Sequence, residues 1–95
     1  MRLISGRHAR RLVEKNNALL CDARDPVSFR DGRITGAKNY PIRLVSTLAR
    51  VEKKTPLIFF GKTNDDTDMI MAAKYAAQMG FQDIHLLGAM TNWDR

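Results

Sequence analysis

Three short apolar runs, held apart by amphipathic stretches, restrict what this chain can fold into more than any other feature. Ala18-Leu19-Leu20-Cys21, Leu57-Ile58-Phe59-Phe60 and Ile84-His85-Leu86-Leu87 are each about four residues long and end at Asp, Gly and Gly. Runs of that length are too short for buried helices and suit strands covered on both faces. The stretches between them read as helices or turns. Ser5 is placed to cap a helix over residues 6–15 whose apolar side is Ala9, Leu12 and Val13, with Asn16-Asn17 ending it. Asp25-Pro26 opens a short helix, since Asp caps and Pro suits the first turn. Gly32 and Gly36 mark a loop, and residues 37–40 read as a short strand stopped by Pro41. Leu44, Leu48 and Val51 share a face at helical spacing, which predicts a helix over 43–52. Residues 69–79, rich in Ala and Met, form the last helix, closed by Gly80.

Strand and helix in alternation predict an α/β chain with a parallel sheet covered on both faces. Ligands of such sheets sit at the carboxyl ends of strands. Two segments therefore bear on function: Asp22-Ala23-Arg24 after the first run, and the polar stretch 61–68 after the second.

Composition narrows the function classes. Ninety-five residues suffice for a single domain, read here as spanning 1–95. The net charge of +6 raises nucleic acid as a partner. Apart from Arg7, His8, Arg10 and Arg11 the basic residues are dispersed, and the few aromatics are not interleaved with them, so nucleic-acid binding is not expected. Cys21 is the only cysteine, which excludes an internal disulfide and a cysteine-based metal site. No apolar run approaches the roughly 20 residues of a membrane span. The expectation is a soluble, cytoplasmic chain with no cofactor or metal.

Several motifs occur together and in order. Leu19-Leu20-Cys21-Asp22-Ala23-Arg24 is an apolar strand ending in Asp-x-Arg. Phe29 is followed by Gly32-Arg33-Ile34-Thr35-Gly36-Ala37, then Asn39 and Pro41. Gly80-Phe81 leads through the third run to Gly88 and Trp93. In this order the chain resembles the rhodanese-like family of sulfurtransferase domains over nearly its whole length, with Arg33 where a His is usual. The resemblance implies a five-stranded, mainly parallel sheet with helices on both faces. It also implies a catalytic Cys directly after the central strand, in a loop whose backbone N–H groups and following helix N-terminus lower the thiol pKa.

At that place the chain departs from the pattern. Gly61 takes the position of the Cys when counted from the strand, and Thr63 when counted back from Gly80-Phe81. The two counts differ by two residues, which implies a loop about that much longer than the common one. The stretch Gly61, Lys62, Thr63, Asn64, Asp65, Asp66, Thr67, Asp68 holds no thiol and three carboxylates. Near a helix N-terminus each carboxylate is favourable by roughly 0.3–1 kcal/mol, so they read as partners of the helix N-terminus. Gly61-Lys62-Thr63 is no phosphate loop, because Pro56 stands where that motif needs its first Gly. The three aspartates lack the rest of a calcium-loop pattern. Cys21, inside an apolar strand, reads as core. His8 and His85 carry no arguable catalytic or metal geometry. Arg24, Arg33 and Lys62 are the candidate binding residues, and Asp22 with Arg24 is expected to form an ion pair. The expected function is a rhodanese-like domain without sulfurtransferase activity, acting on an unidentified protein partner as an interaction or regulatory module. The alternative is a sulfurtransferase that uses Cys21 or a partner's thiol.

Overall fold

In a computed structural model describing residues 1–95, the three apolar runs become the core of one sheet. Strands β1 (Leu19–Asp22), β2 (Lys38–Asn39), β3 (Leu57–Gly61) and β4 (Ile84–Ala89) lie in the order β2-β1-β3-β4, and every neighbouring pair is parallel. Helix α1 (Gly6–Asn16) precedes β1, α2 (Pro26–Asp31) joins β1 to β2, and α3 (Thr67–Gln78) joins β3 to β4. Two 3₁₀ helices complete the chain, Ile42–Arg50 between β2 and β3 and Met90–Asp94 after β4.

The helix ends follow their local chemistry. Ser5 Oγ accepts the His8 N–H at 3.0 Å, and Asn17 closes α1 in the left-handed region at φ 55°. Asp25 Oδ1 accepts the Ser28 N–H at 2.9 Å and starts α2, with Pro26 in its first turn.

Two expectations need correction. The sheet has four strands, not five. Beside β4 only Leu3 forms a parallel bridge, to Leu86, and the Ile4 N–H donates to the Leu86 carbonyl at 2.8 Å. The cause is local, because the Ser5 cap turns the chain into α1 before that pairing can extend. The second correction concerns residues 43–52, which form a 3₁₀ helix over Ile42–Arg50 rather than an α-helix. Ile42, Val45, Leu48 and Val51 recur every third residue, the period at which 3₁₀ side chains eclipse. Val45 and Leu48 are buried there, while Leu44 is only half-buried.

The strands' alternation sends their side chains to two cores. Leu57 and Phe59 pack with Cys21, Val45, Leu48 and the alanines of α3 on one face. Ile58 and Phe60 pack with Ala9, Leu20, Ile34 and Leu87 on the other, under α1 and α2. All four β3 side chains from Leu57 to Phe60 are fully buried, which is why that run is apolar without a break. No helix is long and apolar enough to cross a membrane.

Candidate active site at the carboxyl edge of the sheet

β3 ends at Gly61 and α3 starts at Thr67, so the connecting loop is residues 62–66. Its organising group is the carboxylate of Asp66, which caps α3. Asp66 Oδ1 accepts the N–H groups of Asp68 at 2.9 Å and Met69 at 3.2 Å, while Oδ2 accepts the Lys62 N–H at 2.8 Å. One side chain thus ties the start of the loop to the start of the helix. Hydrogen bonds to an ionised acceptor are stronger than neutral ones, and the helix N-terminus adds favourable potential. Thr63 Oγ1 donates to Asp65 Oδ1 at 3.0 Å, and Asp68 lies in the first turn of α3.

The Asp66 arrangement requires glycine at the strand end. A Cβ on Gly61 would lie 2.5 Å from Asp66 Oδ2 and 2.7 Å from its Cγ, far inside contact distance. Any side chain at position 61 displaces the carboxylate.

A β-bulge secures the other side of the loop. Phe59 pairs with Leu86 but Phe60 pairs with Gly88, so Leu87 is the extra residue on β4. Gly88 has φ +85°, and a Cβ there would meet Asn64 Oδ1 at 2.5 Å. Asn64 uses that space: its Oδ1 accepts the Ala89 N–H at 3.0 Å and Asn92 Nδ2 at 2.7 Å. The bulge glycine therefore creates the notch into which the loop docks.

Next to the loop, β1 ends in a buried ion pair. Asp22 is fully buried, and Arg24 meets it in bidentate fashion, Nε to Oδ1 at 3.0 Å and Nη2 to Oδ2 at 2.7 Å. Arg24 Nη2 also donates to the Gly32 carbonyl. Asn39 Nδ2 donates to the carbonyls of Asp22 and Arg24, at 3.0 and 2.9 Å, and holds the strand end in place.

An open cleft of about 480 Å³ lies between these two strand ends. Arg24, Arg43 and Lys62 line it, against Asp25, Asp66 and Asp68. Lys62 Nζ stands 3.3 Å from Asp25 Oδ2. The Ser28 backbone N–H, the Ser28 hydroxyl and Lys62 together hold the Asp25 carboxyl down at about 2.

The structure brings Arg24 and Lys62 to this cleft and leaves Arg33 elsewhere. Arg33 stacks over the Phe29 ring at 4.5 Å and lines a separate recess of about 350 Å³ with Ile34, Thr35 and Trp93. Arg43, which the sequence marks only as the start of the helix predicted over 43–52, lies in the first turn of the 3₁₀ helix after Pro41 and lines the cleft. Cys21 is fully buried, and burial pushes its thiol pKa up, only partly countered by the Ile58 backbone. His8 and His85, distant in sequence, meet edge to face with ring centroids 5.9 Å apart. His85 Nε2 also lies 2.6 Å from Asp83 Oδ1, off the direction of a good hydrogen bond.

A parallel sheet with helices on both faces and an Asp-x-Arg strand end matches a known family. Residues 6–95 match the model of the rhodanese-like domain. The chain belongs to the rhodanese-like domain family. Solved structures agree with this assignment. The Alr3790 protein of Anabaena sp. superposes with a TM-score of 0.79 at 23% identity, over 94% of this chain and 82% of that one. A rhodanese-like domain of the same Anabaena protein gives 0.71 at 28% identity, over 81% and 90%. The single domain sulfurtransferase RDL2 of Saccharomyces cerevisiae gives 0.75 at 19% identity, over 97% and 87%, a likeness of fold. Among curated proteins none matches the chain. Within the rhodanese-like fold, the loop 62–66 follows the carboxyl end of the central strand, and the N–H groups of Lys62 and of the first turn of α3 are turned onto Asp66.

Proposed function

We propose that this rhodanese-like domain does not transfer sulfur and serves as a protein-interaction or regulatory module of the cytoplasm. The observation that carries the reading is the pairing of Gly61 with Asp66. Counted from the strand, the resemblance puts the nucleophilic sulfur at position 61, where this chain has no side chain and a carboxylate oxygen lies 2.5 Å from the place of the Cβ; counted back from Gly80-Phe81 it falls at Thr63, which has no thiol either. A reactive thiolate needs a positive environment to lower its pKa. Here the N–H groups of Lys62, Asp68 and Met69 already hold an anion that belongs to the chain.

Cys21 makes a poor substitute nucleophile. It has no exposed surface, and its thiol is shifted away from ionisation. Transfer through Cys21 would require the sheet to open.

The loop stays ordered by the Asp66 and Asn64 contacts and faces solvent, which suits recognition of a partner. A thiosulfate-to-cyanide transfer assay tests the reading. The expected result is no thiocyanate above the enzyme-free rate. Cyanide-dependent thiocyanate that disappears in Cys21→Ser would sink it and favour the sulfurtransferase alternative.

A further inference from the structure

We propose that the cleft beside the loop and an apolar groove along α3 form one docking site for an extended protein segment. That segment carries an acidic side chain for Arg43 and an aliphatic or aromatic side chain for the groove. The proposal rests on the reading of the domain as an interaction module and specifies the partner's chemistry.

Two concavities lie side by side and share Ile42 as a wall residue. The charged cleft of about 480 Å³ includes Ile42 in its wall, and so does a groove of about 290 Å³ formed with Val45, Ser46, Tyr75, Gln78 and Met79. Along α3 the combined surface runs from Asp68 to Gln78. At 1.5 Å per residue that is about 15 Å. An extended chain covers the same distance in four or five residues at about 3.3 Å each. A small metabolite would fill one concavity and leave the other empty, whereas a peptide spans both.

The apolar end lacks cover. Tyr75 in the groove is 38% exposed, and Met71, one turn earlier on α3 and outside the groove's lining, is 41% exposed. They are two of the five large apolar side chains with substantial exposure in the whole chain, and they stand at i and i+4 on one side of one helix.

The charged end holds one cation without a partner in the fold. Of the cleft's three cations, Arg24 is neutralised by Asp22, and Lys62 faces Asp25. Arg43 makes no ion pair and no side-chain hydrogen bond. It also sits at the N-terminal end of the 3₁₀ helix Ile42–Arg50, where unsatisfied N–H groups disfavour a cation. Asp66 is held by the Lys62 and Asp68 N–H groups. Asp68 has no side-chain partner either, but the first turn of α3 favours its charge. Arg43 is thus the charge in the cleft that the fold leaves uncompensated, and a carboxylate from a partner satisfies it in bidentate geometry.

The test is selection of random dodecapeptides displayed on phage against the full chain, followed by anisotropy titration of the enriched peptide. The expected consensus holds Asp or Glu within about five residues of an aliphatic or aromatic residue. Its affinity falls by at least about tenfold in Arg43→Glu and again in Tyr75→Glu, as for anchor residues of an interface. Both positions are exposed, and circular dichroism checks that the variants fold. Absence of enrichment, or an enriched peptide bound equally well by both variants, overturns this site and leaves the module reading standing. Cyanide-dependent thiocyanate formation sinks the module reading whatever the peptides show.

Discussion

The ends of β1 and β3 lie side by side, and each is organised by one carboxylate, by different physics. Asp22 is fully buried and is neutralised by the guanidinium of Arg24. Asp66 is half-buried and is hydrogen-bonded by three backbone N–H groups, with no cation against it. A buried charge without its partner is costly, so the first arrangement resists change. A capping carboxylate at the surface can be replaced by water at modest cost, so the second is easily rebuilt. The two strand ends separate a part of the fold that carries stability from a part free to vary.

The sharpest test of that contrast is Arg24→Ala. It strands the Asp22 carboxylate in the core and is expected to cost about 3–5 kcal/mol, read as a lower urea midpoint. A loss below about 1 kcal/mol would mean that water reaches Asp22, and the contrast would collapse.

Gly61→Ala comes next. Its Cβ drives Asp66 from the cradle, at an expected cost of about 1–3 kcal/mol. Asp66→Ala alone is expected to cost about 1–2 kcal/mol through the lost cap. Because the two changes abolish one arrangement, the double variant should be more stable than the sum of the singles predicts, by at least about 0.5 kcal/mol. Strict additivity would show that Asp66 does not hold the place of a side chain at position 61. The same displacement bears on chemistry. Gly61→Cys with Asp66→Ser should react with a thiol label faster than Gly61→Cys alone, since the anion beside the sulfur is gone.

The smallest effect concerns Asp25. Its carboxyl is held near 2, below an ordinary value of 3.8, first by the Ser28 N–H. A depressed folded-state pKa contributes stability above the unfolded value and loses it as pH falls through the folded one. The α2 cap and the Lys62 contact should therefore persist as pH drops from 4 toward about 2 and disappear below that. A carboxyl NMR titration midpoint for Asp25 near the ordinary value would break this account.

Much of this was legible from residue order. Four-residue apolar runs specify buried strands, and Ser5, Asp25 and the acidic loop announce the helix starts. The absence of a fifth strand was not legible, because five strands came from the family pattern, and here Ser5 diverts the chain into α1. The 3₁₀ helix was hidden because Leu44, Leu48 and Val51 also fit an α-helical face; only the competing three-residue spacing, with Val45 inward, decides it. Within the site, the missing thiol is plain from position 61. That Asp66, and neither Asp65 nor Asp68, takes the freed space depends on where the loop turns back.

The sequence by itself determined the class of fold, the buried character of Cys21 and the absence of a thiol after the central strand. Those properties follow from residue type and short-range spacing, which act along the chain. The tertiary structure decided that Gly61 and Asp66 share one volume, that the Gly88 bulge makes a notch for Asn64, and that Arg43 faces the cleft with no counter-ion. Each of these is a meeting of groups from different elements, set by the register of β3 against β4 and by where the 3₁₀ helix starts after Pro41. No local preference encodes such meetings, because they exist only once the sheet has closed.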